Sequence, residues 1–272
     1  MDARLQRRVQ RYGWDLAAAD YEPLWQRQLA TVQAEVLHRA ALRPGERVLD
    51  VACGTGLVTL AAAQAVGASG RVDGVDLSGD MIERARDTAA HRHARGVRFT
   101  RMDAEALAVA DASVDVALCS LGLMYMPDAA RAISEMRRVL RPSGRLVLAV
   151  WGERARCGWA SLFGVVQDEV RSEVCPMFFG LGPAGALAAL CRATGCGQVE
   201  EHRIATTLAY ADDDQACRAA FSGGPVALAW SRFDAQTRAR VCARYLDTIA
   251  PWKTSAGYEV PAEFVIVCAL AA

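Results

Sequence analysis

VLDVACGTG, residues 48–56, is the stretch on which the fold turns. An apolar run carrying one carboxylate, Asp50, leads into a loop of small residues, and residues 57–66 then have the composition of a helix. A buried strand that passes through a glycine-containing loop into a helix opens an open α/β sheet. Such sheets bind ligands at the carboxyl ends of their strands, where loop backbone can come close to the ligand. Gly54 and Gly56 allow that approach and permit unusual backbone angles.

Outward from this stretch, strand and helix patterns alternate. Residues 71–75 read as a second strand, ended by Asp76. Residues 78–90 read as a helix with Ser78 as cap and Asp80 in its first turn. Strands follow at 97–100, 114–119 and 145–151, with a helix at 129–140 closed by Arg141-Pro142-Ser143-Gly144. This alternation implies a parallel sheet covered by helices on both faces. Upstream, Arg43-Pro44-Gly45-Glu46 is a turn, and residues 5–40 carry apolar positions at helical spacing (Leu29, Val32, Val36, Leu37), read as two or three helices. Downstream, 154–174 reads as largely helical, 183–194 as a helix ended by Gly195, and 197–204 and 263–270 as strands. Between those strands, 208–258 has a helical pattern broken at Ser222-Gly223-Gly224-Pro225. An insertion of that length usually builds over a pocket.

Composition sets outer limits. The chain has 272 residues, 53% of them hydrophobic, with 31 basic and 31 acidic side chains. That supports a large core in a single domain and gives no basic excess of the kind a nucleic-acid partner would call for. No apolar run reaches the roughly 20 residues that span a bilayer. The charged start (Asp2, Arg4, Arg7, Arg8) does not resemble a signal peptide. Nine cysteines without C-x-x-C spacing read as reduced thiols, and the expected setting is the cytoplasm. No Cys/His cluster has ligand spacing, so no metal is expected.

Two further carboxylates suit a nucleoside. Asp76 follows Asp50 by 26 residues, at the end of the second strand, where it can accept hydrogen bonds from two ribose hydroxyls. Asp103 follows the third strand, within reach of an adenine amino group.

Residues 48–56, 72–81, 102–104 and 114–151, in order and with the right gaps, resemble the class I S-adenosylmethionine-dependent methyltransferases of the ubiquinone/menaquinone-methyltransferase type (methyltransferase type 11). The segment 119–151 is especially similar to that group. The resemblance spans residues 45–152. It implies an α/β fold with a Rossmann-like, seven-stranded, mostly parallel sheet, helices on both faces, and strand 263–270 antiparallel to its neighbours. It implies a cofactor-binding core at 43–152 within a single domain over 1–272. Residues 1–42 are then expected as an N-terminal helical lid, and 153–272 as the rest of the sheet with a lid insertion at about 208–258.

The resemblance also assigns roles. Ala52, Cys53, Gly54 and Gly56 would hold the methionine part of S-adenosylmethionine, and Asp50 would lie near its amino group. Asp76 would bind the ribose, Leu77 and Met81 would pack on the adenine, and Met102, Asp103 and Ala104 would meet its edge. Cys119 and Ser120 would lie beside the sulfonium. Ala52 stands where many relatives carry glycine and fits there if its backbone angle is ordinary.

The implied activity is in-line methyl transfer to a small-molecule acceptor, apolar or aromatic, by a monomer or homodimer. Tyr21, Trp25 and Tyr125 are the candidate acceptor contacts, with Tyr12 and Trp14 nearby in sequence. Met124, Met126, Trp151, Met177, Phe178 and Phe179 give the expected mouth its apolar character. No histidine or other side chain stands out as a general base. Two other readings fit part of the pattern. A nicotinamide-dependent dehydrogenase would carry G-x-G-x-x-G, but Thr59 occupies the last glycine position. A non-catalytic S-adenosylmethionine-binding or regulatory protein on the same scaffold would not need the whole cofactor set.

Overall fold

The alternation of strand and helix extends from Arg47 to Trp151, as the apolar spacing predicts. A computed structural model of the chain describes residues 3–170 and 178–271. In chain order its elements are α1 (Ala3–Ala40), β1 (Arg47–Val51), α2 (Leu57–Val66), β2 (Arg71–Asp76), α3 (Gly79–His91), β3 (Val97–Arg101), β4 (Val114–Ser120) and α4 (Ala129–Val139). There follow β5 (Leu140–Trp151), α5 (Ser161–Gln167), α6 (Ala186–Ala193), β6 (Cys196–Tyr210), α7 (Asp213–Phe221), α8 (Ala227–Arg232), α9 (Ala235–Ile249), β7 (Lys253–Thr254) and β8 (Gly257–Ala271).

The sheet order is β3-β2-β1-β4-β5-β8-β6, with the two-residue β7 paired to β8. The first five strands are parallel. Strand β8 runs antiparallel to both β5 and β6. From β1 the chain goes to β2 and β3 on one side, then returns to β4 on the other. The loops after β1 and β4 therefore diverge and leave a crevice at their carboxyl ends.

Several boundaries differ from the sequence expectation. Residues 5–40 form one helix, not two or three, and Pro23 lies inside it. A proline removes one helical hydrogen bond and costs about 3 kcal/mol in a helix interior, so burial on either side must offset it. Leu24, Trp25, Leu29, Val32, Val36 and Ala40 are all buried, and Trp25 packs against Trp151 and Trp159. The carboxyl half of α1 is thus part of the core. Arg145 caps its end, with Nε donating to the Ala40 carbonyl at 2.8 Å.

Arg141-Pro142-Ser143-Gly144 is drawn into β5 as a bulge. The register jumps from Val114↔Leu140 to Val116↔Arg145, and Ser143 takes a φ of +63°. Strands β6 and β8 are longer than read, pairing from Cys196↔Ala271 to Tyr210↔Tyr258. The small and polar residues at 205–207 mask the period-two pattern there. The region read as helical at 154–174 contains two short 3₁₀ turns and α5; its last part, 171–174, lies outside the described residues. The eight described cysteines are free thiols. No described helix is long and apolar enough to cross a membrane.

Of the helices α7–α9 that interrupt the β6–β8 hairpin, α7 and α8 pack against α1, and α9 packs against α5 and α7. Phe221 stacks on Trp230 with centroids 5.0 Å apart, and Tyr245 meets Phe221 edge-on. Among the described residues their aromatic rings make no ring contact with those of α1. This region meets α1 through both apolar and polar contacts: Leu228 lies against Gly13, Gly223 against Leu24, and Arg218 pairs with Asp20. Gln28 is buried, and its amide pairs both the N–H and the carbonyl of Ala209 in β6, the former at 2.8 Å. Removing both bonds strands two backbone groups, a loss of about 1–3 kcal/mol. Gln28→Ala is expected to lower the unfolding free energy by that amount in urea melts, while an unchanged midpoint would show that the clamp is idle.

Candidate active site

The loop between β1 and α2 is built on left-handed backbone. Ala52, Gly54 and Gly56 have φ of 56°, 54° and 84°. At Gly56 a Cβ would also lie 2.9 Å from the Phe99 ring and 3.2 Å from the Ala85 Cβ, so no side chain fits. Ala52 does not have the ordinary angle expected of it. A left-handed angle costs a non-glycine residue about 1–2 kcal/mol. Room for its methyl group comes from the loop after β4, because a Cβ on Gly122 would sit 2.3 Å from the Ala52 Cβ. Leu121, beside that glycine, is itself left-handed at φ 62°.

Asp76, at the end of β2, fixes this loop. Its Oδ2 accepts from the Gly54 amide and its Oδ1 from the Ser78 amide, both at 2.9 Å. Burial pushes its pKa up, and the two backbone bonds oppose that shift. Ser78 caps α3, accepting from the Met81 amide at 3.1 Å, and its hydroxyl donates to Asp15 Oδ1 of α1 at 2.6 Å. Asp50 is 1% exposed, and Thr59 Oγ1 donates to its Oδ2 at 2.6 Å. This explains a threonine where a dinucleotide site would have glycine. Burial pushes Asp50 up to about 7, with the Thr59 bond opposing and nearby Asp76 reinforcing the shift.

Two adjoining cavities open at these strand ends and share Tyr21, Ala52, Gly54, Ser120 and Leu121 as a common wall. The larger, about 790 Å³ of empty space including its open mouth, is bordered by Asp76, Leu77, Met81, Met102, Asp103, Ala104, Ser120, Tyr21 and Tyr125. The smaller, about 350 Å³, is bordered by Asp50, Cys53, Thr55 and Gln33. Gly56 borders neither; it shapes the loop from behind.

Two expected contacts fall elsewhere. Cys119 is fully buried behind the wall, because the last strand residue, Ser120, takes the cavity side. Its thiol is pushed up to about 12 by burial. Trp25 lies in the core against the Trp151–Trp159 pair. Of the apolar mouth residues, Met126 borders the cavity, whereas Met124 and Trp151 are core residues. Phe178 backs Tyr125 edge-on at 5.2 Å, and Phe179 packs on Phe178. Met177 lies outside the described residues, and Tyr12 points to solvent.

The sequence reading named Tyr21 and Trp14 on α1 but missed Arg7 and Gln10 on the same face. Arg7, Gln10, Trp14 and Tyr21 all face the larger cavity, at steps of three, four and seven, the spacing of one helical face. Arg7 Nε lies 3.2 Å from Asp103 Oδ2, and its guanidinium also bonds buried Glu105. Trp14 meets Tyr21 and Tyr125 edge-on, at 5.8 and 5.1 Å. Burial raises the pKa of both phenols, helped by Asp76 at Tyr21 and by Tyr21 at Tyr125. Both therefore stay protonated at neutral pH. Neither hydroxyl has a hydrogen-bond partner among the described residues.

Residues 48–144 match the family model described as a methyltransferase domain. Over this segment the chain is similar to S-adenosylmethionine-dependent methyltransferases, and its sheet is of their Rossmann-like kind. The chain is 38% identical over 112 residues to a demethylmenaquinone methyltransferase of Staphylococcus aureus, covering 41% of this chain and 46% of that one. It is 40% identical over 110 residues to an arsenite methyltransferase of Halobacterium salinarum, covering 40% of this chain and 28% of that one. The chain thus spans less than half the length of these curated relatives. A solved structure from Bacillus halodurans, described as a methyltransferase, shares the fold at a TM-score of 0.63 and 21% identity, covering 88% of this chain and 98% of that one.

The cavities fit S-adenosylmethionine, the cofactor of this domain type. The Thr55 hydroxyl is buried without a partner beside the smaller cavity, next to Asp50, as a polar amino-acid end requires. The larger cavity pairs the Asp76 carboxylate with apolar walls at Leu77 and Met81, as a nucleoside requires.

Asp50 makes the site sensitive to pH. Its pKa of about 7 in the folded protein stands above an unfolded value of about 4. Between those values the unfolded chain releases a proton that the native state keeps. Stability therefore falls as pH rises through this window, by at most about 1.4 kcal/mol per pH unit, and levels off on either side. Asp50→Asn is expected to remove this component. Urea melts at pH 5, 6, 7 and 8 check it; equal pH slopes for both proteins would place the Asp50 titration elsewhere.

Proposed function

We propose that the protein transfers a methyl group from S-adenosylmethionine to a small-molecule acceptor with an apolar or aromatic body. The observation that carries this reading is the larger cavity itself. It runs from the Asp76 carboxylate past Ser120 and Leu121 to the aromatic group Trp14, Tyr21 and Tyr125. One end suits a nucleoside and the other suits an acceptor. The two relatives are named for demethylmenaquinone and arsenite, both small molecules.

Asp76 would receive the ribose hydroxyls, since each carboxylate oxygen keeps lone-pair capacity beyond its one backbone bond. Leu77, Met81, Met102 and Ala104 would pack on the adenine, with Asp103 at its edge. The backbone of 52–54, with Asp50 and Thr55, would hold the amino-acid end, and Ser120 would lie beside the reacting centre. When bound, the cofactor supplies a methyl group already activated on sulfur. The protein's task is then to orient the acceptor and exclude water, and orientation alone supplies about 7–11 kcal/mol. Trp14 gives the acceptor an apolar wall, while Tyr21, Tyr125 and Gln10 offer hydrogen-bond donors.

The amino half of α1, residues 3–21, would act as the lid. Arg7 ties it to Asp103 and Glu105, and Asp15 ties it to Ser78. The insertion 208–258 does not border the cavity and has no lid role in this reading. The free thiols support a reducing, cytoplasmic setting.

Calorimetric titration with S-adenosylhomocysteine, joined to a methyl-transfer assay over small aromatic acceptors, tests the reading. Asp76→Asn is expected to weaken binding by about 1.5–3 kcal/mol, roughly ten- to a hundredfold. Trp14→Ala is expected to raise the acceptor KM while largely sparing cofactor affinity. Unchanged affinity in Asp76→Asn would refute the ribose role, and cofactor binding without transfer to any acceptor would refute the enzymatic one.

A further inference from the structure

The outer face of the amino half of α1 is where the described chain leaves its large apolar side chains in water. Leu5, Tyr12 and Leu16 are 43%, 47% and 50% exposed, and among the described residues they are the exposed large hydrophobics. With half-buried Val9 they recur at i, i+4, i+7 and i+11, the seam spacing of a coiled coil. Clusters of this kind on a soluble protein mark contact sites. The seam borders a groove completed by Leu228 and Arg232 of α8 and Asp80 of α3.

Charge selects the occupant. The groove is bordered by Arg8, Arg232, Asp15 and Asp80, and the Arg11 guanidinium lies 4.3 Å over the Tyr12 ring beside it. None of the four has an ion-pair partner among the described residues, and Asp15, whose Oδ1 accepts from Ser78, keeps its Oδ2 for a second contact. A rim that carries both signs favours a partner that also carries both over a purely acidic surface. This rim complements its own residues presented in reverse order.

We propose that a second copy of this chain docks here, with the two α1 helices antiparallel about a two-fold axis. On the heptad, Leu5 and Tyr12 take d positions, and Val9 and Leu16 take a positions. Antiparallel pairing sets a against d, so Leu5 meets the partner's Leu16 and Val9 meets the partner's Tyr12. Arg8 and Asp15 both take g positions, which face each other in this arrangement. Arg8 therefore meets the partner's Asp15, and the two-fold repeats the pair. The e positions, Gln6 and Gly13, are buried against their own chain, which leaves the g flank for the partner. A specific interface needs about 800 Å² from each side, so the groove beside α8 must also be covered. The opposite face of the same turns carries Arg7, Gln10 and Trp14, so the second copy would brace the helix that borders the cavity.

Sedimentation equilibrium of the full chain tests this. The wild type is expected to show a concentration-dependent monomer–dimer equilibrium. Leu16→Asp and Arg8→Asp are each expected to raise its dissociation constant about tenfold or more, with unchanged helical circular dichroism. Mixing Arg8→Asp with Asp15→Arg chains is expected to restore association, because each variant alone sets like charges together and the mixture sets opposites. Leu16 and Arg8 are exposed, so those two variants decide the matter even if Asp15→Arg folds poorly. A monomer at every concentration, a dimer indifferent to Leu16→Asp, or recruitment of monomers to phosphatidylserine vesicles through this stripe would each overturn the proposal.

Discussion

One carboxylate organises the molecule. Asp76 takes the Gly54 amide on one oxygen and the Ser78 amide on the other. The first bond fixes the turn of the glycine-containing loop, and the second places the start of α3. A negative charge at a helix N-terminus is favourable in itself. Because Ser78 is held there, its hydroxyl can anchor Asp15 of α1. The end of β2, the loop after β1, the start of α3 and the amino half of α1 are thus joined in one chain of hydrogen bonds. All of them border the same cavity.

Around that anchor the backbone is strained where the ligand must come close. Ala52 and Leu121 are both left-handed without being glycine, and they border the wall that the two cavities share. Such residues persist only when their surroundings fix them. Here the missing side chain of Gly122 leaves room for the Ala52 methyl group. Buried Asp50 is tolerated in a similar way, through the Thr59 hydroxyl and a pKa raised to about 7. The loop carries its conformational cost in a few residues and leaves the adjoining strands regular.

Much of this was legible from the chain. The strand–loop–helix opening, the spacing to Asp76 and the later strands fix the sheet and the floor of the cavity, and β8 runs antiparallel as expected. What was not legible depends on packing. Pro23 argues for a break, yet burial of Leu24 and Trp25 carries the helix through it. Cys119 and Ser120 are neighbours in sequence, and only the strand's orientation decides which one faces the cavity. Trp25 and Trp14 are equally aromatic, but the first falls on the core face of α1 and the second on the cavity face. The steps from Arg7 to Gln10, Trp14 and Tyr21 were a readable helical signal, hidden by the expectation of separate helices. The aromatic residues of 208–258 suggested a second lid; among the described residues they pack on one another and lie outside the two cavities at the strand ends.

The central claim is that the amino half of α1, anchored through Ser78 and Arg7, closes over the cofactor. Hydrogen exchange with and without S-adenosylhomocysteine tests it most directly. Lid segments belong to the less stable part of a fold and gain protection when a ligand holds them shut. The account predicts added protection at residues 3–21 together with 52–56, and none in α7–α9. Protection confined to 52–56, or shared equally by α7–α9, would contradict it.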